Sequence, residues 1–164
     1  MGEVIIGIDV GTTATKAVVF EVGGERRHTA IREYPLRSPH PGWQVQDPAQ
    51  IRAAVLATVA EAVRAAGGVG VIGVSVSSAM YGLIGLDQDG DPLTDLITWA
   101  DGRSANEARG LRTSELGREV YRASVTPVHP MTPLTKLMWS VATSPSWPPA
   151  CGGGPDSRTS SSPA

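Results

Sequence analysis

The chain has 164 residues, 41% of them hydrophobic and 18% charged, with a formal net charge of −2. That length suits one domain with a sizeable core, and the near-neutral balance excludes the basic footprint of a general nucleic-acid binder. We expect neither signal peptide nor membrane segment, because no basic leader precedes the first apolar run and Asp9 interrupts it. A single cysteine, Cys151, cannot close an internal disulfide, which fits a cytoplasmic location.

Val4 to Ile8 is a nearly continuous β-branched run, which predicts a strand buried on both faces. Asp9 ends it, and a carboxylate there is costly unless paired, solvated or near a cation. Gly11 then turns the chain, Thr12 and Thr13 offer hydroxyl and backbone N–H donors, and Lys16 adds a positive charge as a second strand, Ala17 to Val22, begins. An ordinary glycine hairpin is one reading of this stretch; a cradle for an anion with a metal ion beside it is the other. No Gly-Lys-Ser/Thr follows, so it is not a Walker loop, and no helix opens here as a dinucleotide fingerprint requires.

Gly23-Gly24 makes a second turn, and Arg26 to Tyr34 reads as a third antiparallel strand. Pro35, Pro39 and Pro41 force an extended excursion that ends at Asp47, a ready N-cap, with Pro48 in first helical position. The helix carries Ile51, Val55, Val59 and Val63 at spacing four, predicting that this face packs on the sheet, and Gly67-Gly68 stops it. Val69 to Ser77 then reads as a buried strand parallel to the first, because a helix crosses over between them.

From Ser78 the chain enters an insertion: a strand Leu83 to Leu86, a turn Asp87 to Gly90, and a return through Pro92 to Trp99. Ser104-Ala105-Asn106-Glu107 has the form of a capping box opening a helix. Thr132 and Pro133 start a later helix that places Leu134, Leu137 and Met138 on one side. Residues 1–139 therefore read as the domain. Residues 140–164 contain no Leu, Ile, Met, Phe or Tyr and read as a disordered Ser/Pro/Gly-rich tail, since such a segment buries too little apolar surface to offset its ordering entropy. The preceding helix stops while still amphipathic, which points to a shifted coding frame near Ser140.

The string hydrophobic-Gly-hydrophobic-Asp-x-Gly-Thr-Thr-x-x-Lys, at residues 6–16, resembles the first phosphate motif of the actin, Hsp70 and sugar-kinase ATPases. That resemblance implies an α/β, ribonuclease H-like fold with a mixed sheet: antiparallel strands 1-2-3, a parallel strand after the crossover helix, and a small β/α insertion. Three further blocks narrow it: Gln46-Asp47-Pro48; Ser77 to Tyr81 running into Ile97 to Ser104; and Thr126 to Met131 through Lys136. Over residues 4–139 the chain resembles the N-terminal part of the FGGY carbohydrate kinases, and most of all the gluconate kinases.

The resemblance implies ATP and Mg²⁺ as cofactors, with Asp9 positioning the metal through water and Gly11, Thr12, Thr13 and Lys16 at the ATP phosphates. It implies a sugar or sugar acid as substrate, with Met80, Tyr81, Asp101, Arg103, His129 and Met131 on the sugar side. Xylulose kinases usually carry a His after the Met, so Tyr81 departs from that pattern; Met131 falls where glycerol kinases place a substrate-contacting Tyr. Each residue also has a plainer role. Arg103 can pair with Asp101 or Glu107, Met80 can fill core, His129 can be a buried hydrogen-bonding group, and Trp99 can simply pack. The family's catalytic base, an Asp, lies in sequence beyond this chain, as does the second domain that closes the cleft, so the chain alone is expected to be inactive; full-length relatives leave a homodimer open. An actin- or Hsp70-like ATPase fragment and a non-catalytic sugar sensor are the competing readings.

Overall fold

A computed structural model describes residues 2–143. β1 (Glu3–Val10) and β2 (Ala14–Glu21) pair antiparallel from Val4↔Glu21 to Val10↔Thr15. β3 (Arg26–Glu33) adds to β2, β4 (Val45–Gln46) follows the proline-rich excursion, and α1 (Pro48–Ala66) crosses to β5 (Gly70–Ser78), which runs parallel to β1. The sheet order is β3-β2-β1-β5, the arrangement expected from the order of elements. β2 opens at Ala14 rather than Ala17, so the turn shrinks to Gly11–Thr13. α1 starts and stops where expected: Asp47 accepts from the Ala49 amide at 2.8 Å, and Gly67 takes the left-handed conformation at φ 67°.

The core lies between α1 and one face of the sheet, where Val4, Ile6, Ile8, Ala17 and Val19 meet Ala62 and Ala66. Here the expected helix face is corrected. The buried stripe is Ala54, Thr58, Ala62 and Ala66; Ile51, Val55 and Val59 flank it half-buried, and Val63 is 52% exposed. Small residues allow the helix backbone to lie close to the strands, and Thr58 satisfies its hydroxyl on the Ala54 carbonyl at 2.7 Å.

Burial of β1 on both faces, and of β5 as a buried strand, is corrected too. α1 sits over β2 and β3 and only grazes β1. Ile5 on the opposite face of β1 is 39% exposed, and Val71, Ile72, Val74 and Val76 of β5 are between 41% and 64% exposed. A continuous apolar run is buried twice only if a second layer covers it, and none of the described elements does.

The insertion is less regular than its sequence suggests. The excursion before Asp47 supplies β4, which pairs with β6 (Leu96–Ile97) in a separate two-stranded sheet. The expected strand Leu83–Leu86 is reduced to two bridges, Leu83↔Ile97 and Leu86↔Pro92, although Gly90 turns the chain at φ 85°. The capping box does not form. Ser104 is fully buried and donates instead to the Pro130 carbonyl at 3.1 Å, joining the start of α2 (Ala105–Thr113) to the segment before α4 (Pro133–Thr143).

Between them α3 (Glu115–Ser124) starts afresh at Ser114, whose hydroxyl accepts from the Gly117 amide at 3.0 Å. Gly117 touches the end of α2 so closely that a Cβ there would sit 1.9 Å from the Leu111 carbonyl oxygen. α4 inverts the expected facing: Thr135, Lys136 and Ser140 are buried, whereas Leu134 and Leu137 are 42% and 45% exposed. It also continues past Trp139 to Thr143. The expected tail therefore begins as helix, and the rest of it lies outside the described residues.

Candidate active site

The β1–β2 turn is held from behind through its carbonyls. Tyr34, buried just after β3, donates its hydroxyl to the Gly11 carbonyl at 2.7 Å and its amide to the Thr13 carbonyl at 3.0 Å. Gln46 of β4 donates its side-chain amide to the Thr12 carbonyl at 2.6 Å. Because a trans peptide points its N–H opposite its C=O, tying down the Gly11 and Thr12 carbonyls turns the Thr12 and Thr13 amides the other way. Neither amide donates to an acceptor among the described residues. Successive outward N–H groups in a turn form a cradle for an anion. Gly11 leaves little room for a side chain, since a Cβ would lie 3.2 Å from the Ala14 oxygen, a tight contact, and 3.7 Å from an Asp9 carboxylate oxygen.

Asp9 stands at the edge of that cradle. Register places Lys16, Asp9 and Ser77 side by side across β2, β1 and β5, on the face away from α1. There they line a concavity of about 230 Å³ together with Gly7, Val18 and Phe20. Ser77 donates its hydroxyl to Asp9 Oδ1 at 2.7 Å, and Asp9 is exposed rather than locked in an ion pair. One carboxylate beside an anion cradle suits Mg²⁺, which keeps most of its waters and shares the rest of its shell with phosphate oxygens. Among the described residues there is no cluster of three or more His, Cys, Asp or Glu side chains.

The insertion meets the turn directly. The Trp99 indole donates to the Thr12 hydroxyl at 3.0 Å, so a residue whose plain reading is packing reaches the candidate phosphate site. Two residues on, Asp101 is buried and Arg103 grips it at both oxygens, through Nε to Oδ1 and Nη2 to Oδ2, each at 2.8 Å. The Gln44 amide reaches Oδ2 at 2.7 Å, and the Arg103 amide reaches Oδ1 at 3.0 Å. Burial pushes this carboxyl up, but the Arg103 hydrogen bonds, the two amides and the guanidinium charge more than offset it and hold it below the usual carboxylate range. The guanidinium lies 3.6 Å above the Trp43 ring centroid and 5.0 Å from that of Trp139. Of the two partners proposed for Arg103, Asp101 is the one used, and both its oxygens are engaged within the protein.

The other sugar-side candidates fall into two groups. Tyr81, at φ 62°, and Met131 are joined through Lys136, a residue absent from the candidate set, whose Nζ donates to both their carbonyls at 2.7 Å. Burial is the main cause that lowers the Lys136 pKa to about 8, with Asp101 pulling it up and Arg103 down. His129 accepts the Met131 amide at Nδ1, 3.2 Å away, and is exposed rather than buried. Met80 is 67% exposed and fills no core. Ser77 and Lys136 are thus the polar residues that pattern reading misses. Both fall within blocks that carry the resemblance, but nothing in the pattern shows that Ser77 bonds Asp9 or that α4 buries Lys136.

The sequence profile of the FGGY family of carbohydrate kinases, N-terminal domain, matches residues 4–147. The gluconokinase of Bacillus subtilis is 40% identical over 139 residues, covering 85% of this chain and 27% of that protein. The gluconate kinase of Lactobacillus acidophilus superposes with a TM-score of 0.82 at 33% identity, over 89% of this chain and 30% of that one. A xylulose kinase from the same organism gives 0.82 at 34% identity, covering 88% of this chain and 29% of that one. The chain thus spans less than a third of these relatives, and the part it spans carries the sheet, the turn and the insertion. On these grounds it belongs to the FGGY family of carbohydrate kinases, of which it forms N-terminal domain sequence.

Proposed function

We propose that this domain holds the phosphates of Mg-ATP at the β1–β2 turn and presents a sugar acid, gluconate before xylulose or another polyol, for transfer of the γ-phosphoryl group to one of its hydroxyls. The observation that carries the reading is the pair of Thr12 and Thr13 amides, without acceptors among the described residues and fixed by carbonyls pinned to Tyr34 and Gln46, with Asp9 alongside. Lys16 adds positive charge on the same strand pair. Mg²⁺, when bound, supplies charge neutralisation on the transferring group; Asp9 orients its water shell, and the amides and Lys16 hold phosphate oxygens. Gluconate is favoured because relatives bearing that name match at 40% and 38% identity. The remaining sugar-side assignments, Met80, Tyr81, Asp101, Arg103, His129 and Met131, belong to this reading, as does a cytoplasmic location. None of the described helices is long and apolar enough to cross a membrane.

Asp9, the carboxylate beside the phosphate turn, is assigned to the metal in this reading and not to the sugar hydroxyl, so the 164-residue chain is proposed to bind without turning over. Isothermal titration with ADP, with and without Mg²⁺, tests the binding half. We expect magnesium-dependent affinity that Asp9→Asn abolishes, and ADP binding indifferent to both would refute the phosphate site. A coupled ADP-release assay with gluconate and Mg-ATP tests the other half: clear turnover by the 164-residue chain would refute the claim that it is inactive alone.

A further inference from the structure

Lys136 is fully buried on α4, and its ammonium spans two separate loops. One acceptor is the carbonyl of Tyr81, a non-glycine residue held in left-handed backbone at φ 62°. The other is the carbonyl of Met131, five residues before Lys136, in the turn that His129 closes. A buried ammonium is costly, and a left-handed Tyr stores strain of its own. Two costs on one contact persist only where the surroundings over-determine them. A methionine of similar length would fill the same volume without either charge or donors, so packing alone does not call for lysine here.

We propose that Lys136 is a positioning residue, a clip that ties the Met80-Tyr81 loop to the Met131 turn and so fixes the spacing of the two segments that face the sugar. This rests on the reading of those segments as the sugar side. Lys136 itself, being enclosed, touches no ligand. Asp101 attracts its charge and Arg103 opposes it, so the clip lies within reach of the ion pair and of the edge-to-face Trp43–Trp139 contact behind the loops.

Hydrogen exchange read by mass spectrometry on the 164-residue chain tests the clip without any ligand. Lys136→Met should speed exchange at residues 80–83 and 130–132 on the order of tenfold or more, while β1 and β2 stay unchanged. Ser140→Ala is the control, because Ser140 is buried on α4 and bonds only the Lys136 carbonyl: it should loosen α4 and leave residues 80–83 alone. If Lys136→Met does not fold, Lys136→Gln, which keeps an amide donor, is read in its place. Exchange at 80–83 within twofold of wild type, or a uniform acceleration throughout the chain, would overturn the proposal. Titration with sodium gluconate separates the two readings. If wild type binds and Lys136→Met binds tenfold or more weakly, the clip serves the sugar site; if wild type binds and the variant binds equally well, the positioning role is lost. If wild type binds no gluconate yet the loops still loosen, the substrate assignment fails and the clip stands.

Discussion

Replacing Arg103 by Met tests how the insertion is held together. The methionine keeps an unbranched stem beside Trp43 and Trp139 but deletes both guanidinium bonds to Asp101, leaving that carboxylate with the Gln44 and residue-103 amides. The Arg103 and Asp101 side chains are only 5% and 0% exposed, so little water can replace what is lost. Removing one partner of a buried ion pair costs roughly 3–5 kcal/mol. A desolvated guanidinium over an indole contributes about 2 kcal/mol more. Against a total stability of about 5–15 kcal/mol, this would remove a third or more.

The sign of the pH dependence sharpens the test. In wild type the Asp101 carboxyl is depressed, so its contribution is present above its unfolded value and lost as pH falls through the folded one. In Arg103→Met, burial without the guanidinium raises it, the folded state takes up a proton, and the deficit shrinks as pH falls from 7 to 5. Urea unfolding followed by tryptophan fluorescence measures this at both pH values, with Asp101→Asn/Arg103→Met closing the cycle. A deficit under about 1 kcal/mol at pH 7, or one that grows on acidification, would refute the buried-pair argument.

Gly117→Ala should destabilise the α2–α3 corner by about 1–3 kcal/mol or more, because its Cβ meets the Leu111 carbonyl oxygen at 1.9 Å; thermal unfolding by circular dichroism reads it. Lys136 should make stability rise with pH between about 8 and 10.5, since its folded pKa lies below its unfolded value and the unfolded chain holds more protons there. The rise amounts to about 3 kcal/mol, and Lys136→Met should lack it when the two are compared by urea unfolding across that window.

The sheet is legible in the sequence because its signals are local: Gly23-Gly24 turns the chain, Asp47 caps, Gly67 stops, and a helix between two apolar runs makes them parallel. What the sequence hides is coverage. Ile5 and Val74 look as buried as Ile6, and only the placement of α1 over β2 and β3 separates them. The same holds for α4, where Leu134 and Leu137 mark an apolar side that faces outward while Thr135 and Lys136 are buried against polar partners from distant segments and Ser140 bonds its own helix. Ser104 fails as a cap for a related reason: the capping pattern assumes a solvated helix end, and this end is buried against Pro130 and Thr135. For the candidate site, spacing leaves the Gly-Thr-Thr turn open between an ordinary hairpin and an anion cradle, and the resemblance decides for the cradle with Asp9 beside it; the pairing of Ser77 with Asp9 enters only through strand register and the Trp99 contact only through its indole bond.

That indole bond bears on how the two halves of the site communicate. Thr12 is gripped twice from the insertion side, its carbonyl by Gln46 and its hydroxyl by Trp99. Gln46 and Trp99 flank the same small sheet, since Gln46 pairs with Leu96 in β4–β6 and Thr98 bonds the Gln44 carbonyl through amide and hydroxyl. Asp101 then takes the Gln44 amide, and Arg103 packs against Trp139 of α4, one helical turn from Lys136. A continuous set of hydrogen-bonded and packed contacts therefore runs from the anion cradle to the loops of Tyr81 and Met131. On the proposed reading, a shift at either end has to strain one of these bonds on the way, which makes the separation between phosphate and sugar acceptor a property of this small sheet rather than of two loops moving independently.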